Sequence, residues 1–458
     1  MSQYQTRLRM LAGATALFVL LIGSRECRAQ DSHYWSLQFG PRASLLGGAV
    51  IGSISDVSGT FYNPGALGVA SDLSFALSLS VFERSTFRLE DGAGDGVDLG
   101  ATRSGLRPSM VAGVIKRNLF GRGSVLAYSA LSRAQGAHDL QAVSSFSGME
   151  VPPDVDATHL VGLARFQGEF NDFWLGLTWS KPFGEHFGAG ATWYGAMRSQ
   201  TARRETTIQE LSSDGSGTAA LNFQGGNFSA YRTLFKFGAF AQGGRYSGGL
   251  TFTTPSMHIT GSGEVGQDIG VFGPDPAVLA YNTQTDLSAE YRTPLAAGAG
   301  MAIRLRNARL HGSVEWYDAV DRYAVMEGDP FMAQQPVVEQ PAPLVIQEVD
   351  AVLNWAVALE YPFTERFAAY AAYYTDDSAL ADGVESDVNN LPIDIRTVNL
   401  GVDMTLGSAR LTLGAGFAWG EQVDQQLTEL IKPVDEEFEA TYVYRGFRFL
   451  FGLEFGVN

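Results

Sequence analysis

Residues 73–81 read Leu-Ser-Phe-Ala-Leu-Ser-Leu-Ser-Val, with an apolar side chain at every odd-numbered position. The positions between them hold only Ser and Ala. Because successive side chains on a β-strand point to opposite faces, this stretch predicts a strand with one apolar face and one small, polar face. The same alternation recurs in residues 173–179, 355–361, 411–419 and 447–455.

Working outward from these stretches, the sequence predicts fourteen strands, near residues 73–82, 108–117, 123–133, 173–180, 187–198, 231–241, 245–257, 296–305, 309–318, 351–361, 367–375, 395–405, 409–419 and 442–455. Twelve of them form six pairs with tight connections, at residues 118–122, 181–186, 242–244, 306–308, 362–366 and 406–408. Between the pairs, and between the first strand and the first pair, long polar stretches such as 83–107, 134–172 and 199–230 are expected to be loops. Short turns alternating with long loops are typical of an all-β, antiparallel transmembrane barrel, and a soluble sandwich gives no reason for this alternation.

The composition fits a barrel embedded in a membrane. The 458 residues are 45% hydrophobic, 12% aromatic and 18% charged, which excludes a disordered chain. Aromatic side chains fall near the ends of predicted strands, at Trp179, Trp193, Tyr361 and Trp419, where rings are expected at the membrane interface. No transmembrane helix is predicted after residue 29, because no run of about 18 apolar residues occurs there.

Charge and residue counts exclude several classes of function. The net charge is −17, and nucleic-acid binding requires clustered cations, so no nucleic-acid partner is expected. A single Cys and six scattered His show no metal-site or disulfide pattern, and we expect no cofactor. No Gly-x-Ser-x-Gly motif is present, so we predict no catalytic residues and no enzyme activity.

The first 29 residues predict a signal peptide. Arg7 and Arg9 precede the apolar run of residues 10–23, and a polar stretch ending at Ala29 follows. This order of charge, apolar core and small residue is typical of a secretory signal cleaved after Ala29. We therefore expect a signal peptide over residues 1–29, a compact N-terminal segment over 30–70 and a barrel over 71–458, located in the outer membrane of a Gram-negative bacterium.

The N-terminal segment is Gly-rich and only weakly periodic, unlike the rest of the chain. It contains Gly47-Gly48-Ala49, then Asp56, then Tyr62-Asn63-Pro64-Gly65-Ala66-Leu67. In motif order and spacing it resembles the start of the FadL-type outer-membrane transporters of long-chain fatty acids and aromatic hydrocarbons. One departure is the order of Gly65 and Ala66, since the family usually has Ala and then Gly after the Pro.

This resemblance implies a fourteen-stranded barrel whose N-terminal segment plugs the lumen as a hatch, with the motif residues Gly47, Gly48, Asp56, Asn63 and Pro64. It implies passive uptake of hydrophobic small molecules, which bind between hatch and wall and leave laterally into the membrane. The family would place the lateral opening near residues 108–133, where Pro108 and Gly113 permit a distortion. Other expected partners are outer-membrane lipid and lipopolysaccharide, and we expect a monomer. The Asn-Pro step would also make a good turn whatever the function.

If the apolar faces meet lipid, the alternation turns nine titratable side chains inward: Arg232, Lys236, Arg304, His311, Glu315, Glu360, Asp403, Arg448 and Glu454. Charge on the lipid face is costly, which favours this assignment. One interpretation is that these side chains pair with one another inside the barrel. The other is that one or two of Arg232, Lys236, Arg304 and Arg448 bind the head group of a fatty acid.

Two other functions fit a barrel of this type. The first is a structural or protein-secretion (shuttle) role with no small-molecule transport. The second is a water-filled porin, which residues 30–70 argue against because a porin has no plug. Saturable binding of a labelled fatty acid would favour the transporter over the scaffold.

Overall fold

The computed structural model describes residues 27–28, 32–70, 75–93, 97–147, 158–273, 277–381, 392–425 and 439–455. Most of the expected signal peptide therefore lies outside the described residues.

The barrel consists of fourteen antiparallel strands: β1 (Phe75–Glu90), β2 (Leu99–Arg117), β3 (Val125–Ser147), β4 (His159–Phe183), β5 (Phe187–Leu211), β6 (Gly217–Gly243), β7 (Tyr246–Thr253 and Met257–Phe272), β8 (Val278–Ser288 and Ala296–Arg304), β9 (Arg309–Tyr317), β10 (Val352–Thr364), β11 (Phe367–Asp376), β12 (Ile395–Leu406), β13 (Ala409–Gln425) and β14 (Glu439–Phe455). The sheet has sixteen segments, and β7 and β8 each contribute two of them. Consecutive strands pair, and β14 pairs with β1, so the sheet closes. The predicted fold class and strand number are confirmed.

The predicted alternation is seen directly in the exposure of the strands. On β10, Trp355 and Val357 are 39% and 46% exposed, whereas Asn354 and Ala356 between them are buried. The apolar residues thus form the outer surface of the cylinder and the small or polar ones face the bore. An apolar outer band on a closed barrel is what a membrane-spanning sheet requires.

The strands are longer than predicted on one side of the barrel. Strands β3 to β6 contain 23, 25, 25 and 27 residues, although about 9–11 residues cross the hydrocarbon layer. The expectation of loops over 134–172 and 199–230 is therefore largely wrong, as is that over 83–107, most of which belongs to β1 and β2. The inward positions Phe166 and Phe170 stay apolar on β4, but outward positions such as Gln167 turn polar, so the apolar face that identified a strand is lost there.

The opposite rim carries the six predicted tight turns, now at residues 118–124, 184–186, 244–245, 305–308, 365–366 and 407–408. The first and last barrel residues, Phe75 and Phe455, pair with each other at this same rim. Both ends of the barrel therefore lie on the short-turn side, as predicted.

Shorter elements lie beyond the end of β9. Val320–Glu327 pairs antiparallel with Leu344–Val349, which also pairs in parallel with Cys27–Arg28. Phe331–Met332 pairs with Glu339–Gln340. These strands belong to two small sheets separate from the barrel.

No helix among the described residues has the length and apolar character needed to cross a membrane.

The N-terminal segment, residues 32–70, contains three short helical elements. These are α1 (Pro41–Leu45), α2 (Gly59–Tyr62) and a 3-10 helix (Pro64–Gly68). Nearly every residue of the segment is buried. Its apolar side chains form one core cluster with inward-facing residues of many barrel strands, so the segment lies inside the barrel.

The outer apolar band predicts how the barrel responds to charge. Val357→Arg places a cation among the exposed apolar residues of β10. We expect this substitution to destabilise the barrel by about 2–4 kcal/mol, because arginine near the bilayer centre costs roughly that much. The measurement is the free energy of unfolding in lipid vesicles, titrated with urea.

The matched control is Val143→Arg, in the part of β3 that extends beyond the apolar band, where Val143 is 65% exposed. It should change the unfolding free energy little. Equal effects of the two substitutions would contradict the assignment of the band.

Candidate functional site

The turn at Asn63 fixes the N-terminal segment to the wall. The Asn63 side-chain amide donates hydrogen bonds to the carbonyls of Ile51 (2.9 Å) and Ala239 (3.0 Å), and its oxygen accepts from the Gly65 amide (3.0 Å). Pro64 begins the following 3-10 helix, where its missing N–H is not needed. This one side chain therefore holds its own turn, a second part of the segment and strand β6.

The part of the barrel wall that contacts this turn consists of glycines, which have no side chains to block the turn. A Cβ on Gly238 would lie 2.3 Å from Asn63 Oδ1, and one on Gly188 would lie 2.2 Å from the Gly65 carbonyl oxygen. Glycine is required at such positions because two backbones approach closely. The turn is thus seated in a slot formed by glycines of β5 and β6.

The other motif residues shape the segment itself. Gly47 and Gly48 both have positive φ, at 58° and 80°. Asp56 is buried and accepts a hydrogen bond from the Ser58 amide at 2.8 Å. These three residues make the turns by which the chain folds back inside the bore.

Polar side chains of the wall satisfy backbone groups of the segment around the whole bore. Four such contacts are Asn399 to the Ser44 carbonyl, Tyr194 to the Thr60 carbonyl, Ser180 to the Gly68 amide and Asp376 to the Trp35 amide, all at 2.7–2.8 Å. Buried backbone groups need such partners, and the segment is too short of regular structure to supply them itself.

Two predicted head-group residues are paired with carboxylates. Arg232 forms an ion pair with Asp172, and its Nε donates to Thr293 at 2.9 Å. Lys236 Nζ lies 3.1 Å from Glu315 Oε1 and 4.6 Å from the centre of the Phe61 ring. Both cations are buried and neutralised, as the interpretation of a mutual ion-pair network expects.

The other two predicted head-group residues are in different surroundings. Arg304 is exposed at the short-turn end of β8, away from the bore. Arg448 is buried, and its Nη1 donates to the Ser36 carbonyl of the N-terminal segment at 2.7 Å. Of the four, only Arg448 is a buried cation whose described hydrogen bond goes to a backbone carbonyl instead of a carboxylate.

A small cavity lies beside Arg448, between the segment and the wall. Its volume is about 10 Å³, room for about one water molecule. The polar groups around it come from Gln38, Ser44, Ser78, Ser109, Tyr374, Asn399 and Arg448. Asn399 Oδ1 is buried without a hydrogen-bond partner in the described part of the chain.

A strong contact that sequence reasoning missed joins the segment to β9 and β10. Arg42 Nη2 lies 2.6 Å from Glu360, and His311 Nε2 lies 3.1 Å from the same carboxylate. His311 Nδ1 in turn lies 2.8 Å from Ser53 Oγ. Glu360 and His311 were expected to face inward, but no sequence pattern identified Arg42 as their partner.

The hydrogen-bonded ladder between β2 and β3 is interrupted. These strands pair at Gly100 with Gln141, and again from Met110 with Leu131 onward, but residues 101–109 and 132–140 form no ladder with each other. The register is the same on both sides, so the strands separate and rejoin. Pro108 lies in this stretch and cannot donate a ladder hydrogen bond. The distortion expected near residues 108–133 thus lies earlier in β2, at residues 101–109, and later in β3, at residues 132–140, whereas Gly113 pairs normally with Tyr128.

No group of three or more His, Cys, Asp or Glu side chains within the described ranges could hold a metal ion. The polar groups of the bore are instead used in ion pairs and in hydrogen bonds to the segment.

The glycine slot predicts a specific way to loosen the N-terminal segment. Gly238→Val should displace the Asn63 turn at a cost of about 1–3 kcal/mol, the usual cost of overpacking. We expect faster hydrogen exchange over residues 59–68, while the barrel strands keep their slow exchange and the barrel remains folded. Gly195→Val on β5 is the control, because nothing lies within 4 Å of a Cβ at that position. Unchanged exchange in Gly238→Val would contradict the slot.

Comparisons with known proteins give the fold a context. No family model and no curated protein matches the sequence. Among solved structures, the chain is similar to the Pseudomonas putida toluene transporter TodX, with 12% identity, TM-score 0.57, and coverage of 92% of this chain and 99% of that one. It is also similar to a Pseudomonas aeruginosa FadL homologue, with 11% identity, TM-score 0.56, and coverage of 93% and 100%. A TodX monoaromatic hydrocarbon channel mutant, deltaS2S3, matches at 10% identity and TM-score 0.59, over 92% and 99%. The chain therefore has the fold of the FadL-type channels, a closed antiparallel barrel of fourteen strands with the N-terminal segment in its bore.

Proposed function

We propose that this protein is a passive outer-membrane channel for the uptake of hydrophobic compounds, such as long-chain fatty acids or similar lipophilic molecules. The observation that carries the proposal is the missing ladder between β2 and β3 over residues 101–109 and 132–140. Unpaired backbone in a barrel wall is costly in lipid, so a barrel that keeps such a break has a use for it.

The position of the break supports lateral release. The outward apolar residues reach Phe82 on β1 and Leu106 on β2, while Arg84 and Ser104 beyond them are polar. The opening therefore begins in the outer part of the apolar band. An acyl chain that leaves there passes from the bore to lipid without exposing each CH₂ to water at a cost of about 0.8 kcal/mol.

The N-terminal segment acts as a hatch in this proposal. It fills the bore, and the cavity of about 10 Å³ beside Arg448 is too small for a lipophilic ligand. A ligand that binds at this cavity must therefore displace part of the segment, several of whose backbone groups are held to the wall by single hydrogen bonds. Each of these contributes about 0.5–1.5 kcal/mol net, so they can be exchanged one at a time.

The similarity to named channels supports a hydrophobic substrate but does not distinguish a fatty acid from an aromatic hydrocarbon. The solved structures carry the names of a toluene transporter, a FadL homologue and monoaromatic hydrocarbon channels. All of these names refer to transport and none to catalysis, which supports a function without an enzyme activity.

Closing the opening predicts loss of uptake. Leu106 and Gln135 face each other across the gap if the register of the flanking ladder is continued. In the mature chain, which we expect to lack Cys, Leu106→Cys and Gln135→Cys joined by a short bismaleimide should reduce uptake of a labelled fatty acid by whole cells to the level without the protein.

The matched control is a bridge on the other edge of the same strand. Thr86 and Thr102 are ladder partners of β1 and β2 and are both exposed, so Thr86→Cys with Thr102→Cys should cross-link without loss of uptake. Full uptake through the Leu106–Gln135 bridge would contradict lateral release. Absence of saturable fatty-acid binding to the unmodified protein would favour the structural role instead.

A further inference from the structure

The short-turn rim of the barrel carries a group of cations that the proposed function does not use. Lys116 and Arg117 end β2, Arg122 lies in the turn that follows, and Lys181 lies near the neighbouring end of β4. The first three are exposed and Lys181 is half-buried. A Cβ on Gly121 would lie 4.0 Å from Lys181 Nζ, so this side chain reaches the turn. We call these four side chains the cationic patch.

The cations of the patch have no carboxylate partners. In the described part of the chain none of the four forms an ion pair, and residues 105–132 contain no Asp or Glu. Exposed arginines toward the long-loop end are paired within the protein, as Arg88 is with Asp98, Arg165 with Asp139 and Arg322 with Glu348. Since the chain carries a net charge of −17, a group of unpaired cations does not follow from its composition.

The register of the strands places the patch at the edge of the apolar band. Lys116 pairs with Leu126, which pairs with Trp179 of β4, so the lysine lies in the same row of the sheet as this ring. Trp179 is 37% exposed, and such rings mark the level where hydrocarbon meets lipid head groups. Arg117 lies in the next row toward the turn, and Lys181 is two residues beyond Trp179 on β4. The patch therefore lies at the level of the head groups.

The turn that carries the patch is stabilised by its own hydrogen bonds. The Asn118 side chain accepts a hydrogen bond from the Gly123 amide at 2.6 Å, and its backbone amide donates to the Ser124 carbonyl at 2.7 Å. Leu119 and Phe120 at the tip of the turn are 37% and 65% exposed. Apolar side chains beside cations suit a surface that combines phosphates with acyl chains. An ordered turn presents both with little further loss of conformational freedom on binding.

We propose that the cationic patch binds the phosphate groups of anionic phospholipids in the membrane leaflet on the short-turn side. In an outer-membrane barrel the short turns face the periplasm, so this leaflet is the inner one. The inference rests on the proposed location in an outer membrane and is independent of the substrate that passes through the barrel. Lipid bound here holds the continuous end of the β2–β3 pair, whose ladder is interrupted farther from the turn.

The test places a fluorophore in the patch and measures which lipid lies beside it. Leu119→Cys, made in the mature chain that we expect to lack Cys, is labelled with bimane and reconstituted in phosphatidylcholine vesicles. A small, equal fraction of either phosphatidylglycerol or phosphatidylcholine carries a nitroxide quencher near the head-group end of one acyl chain, in both leaflets. Quenching should show that phosphatidylglycerol is enriched about fivefold or more beside the turn, which corresponds to about 1 kcal/mol.

A triple variant removes most of the charge of the patch. Lys116→Gln/Arg117→Gln/Arg122→Gln changes three exposed side chains, so the barrel should still fold and insert. The enrichment of phosphatidylglycerol should fall to less than about twofold, since only Lys181 remains. An enrichment equal to that of the unaltered protein would overturn the inference.

The matched control removes the same charge from other turns of the same rim. Arg245→Gln/Arg304→Gln/Arg306→Gln also changes three exposed side chains and should leave the enrichment beside residue 119 unchanged. An equal loss in the two triple variants would reflect total charge instead of a local site and would contradict the inference.

Salt and insertion complete the test. At about 1 M salt, where the Debye length is about 3 Å, the preference for phosphatidylglycerol should largely disappear. A preference that salt leaves unchanged would contradict electrostatic binding. Equal quenching by the two lipids in an inserted, unaltered protein would overturn the inference and leave the proposed channel standing. A mature chain that stays soluble without detergent and does not insert would overturn both.

Discussion

The structure depends on the rule that backbone polar groups in a hydrocarbon layer must pair with each other. Fourteen strands meet this requirement by closing on themselves, with β14 paired to β1 along its full length from Phe75 to Glu90. Because the rule is so strict, the break at residues 101–109 is the most informative feature of the wall. Near Leu106, inside the apolar band, lipid cannot satisfy its unpaired backbone groups, whereas from Ser104 onward the stretch lies beyond the band and can bond to water.

The N-terminal segment also requires a polar inner face of the barrel. The N-terminal segment has only three short helical elements, so many of its amides and carbonyls lack partners within the segment. Wall side chains such as Thr192, Tyr194 and Asn399 supply those partners. The small and hydroxylated residues that alternate with the lipid-facing ones therefore leave room for the segment and supply hydrogen-bond partners for its backbone. The segment is therefore well packed and is held to the wall by many separate contacts.

The sequence allowed the strands and turns to be predicted because lipid imposes a simple pattern. Every strand that crosses the membrane needs an apolar face. The alternating pattern ends where the chain leaves the membrane, and this predicts the turns between β4 and β5 and between β12 and β13. Beyond the membrane the constraint disappears, so residues 159–172 of β4 were expected to be loop although they are strand.

For the charged residues of the bore, the sequence predicted which side chains face inward but not which residues they pair with. The inward position of Lys236 follows from alternation, but its pairing with Glu315 depends on strands 79 residues apart in sequence. Arg103 and Arg107 were not singled out because the stretch that contains them was expected to be a loop. A cation in a loop is ordinary, whereas a cation facing inward on a strand edge is not.

The chain as a whole and the cationic patch on its short-turn rim have opposite charges. With a net charge of −17, the protein as a whole repels anions, but Coulomb interactions weaken with distance and are screened by salt within about 10 Å. What an anionic head group experiences beside the turn between β2 and β3 is therefore set by the few charges around it. Exposed cations there need no partner within the protein. Arg107, by contrast, is largely removed from water and is paired with Glu83, because a buried cation without any partner would be strongly destabilising.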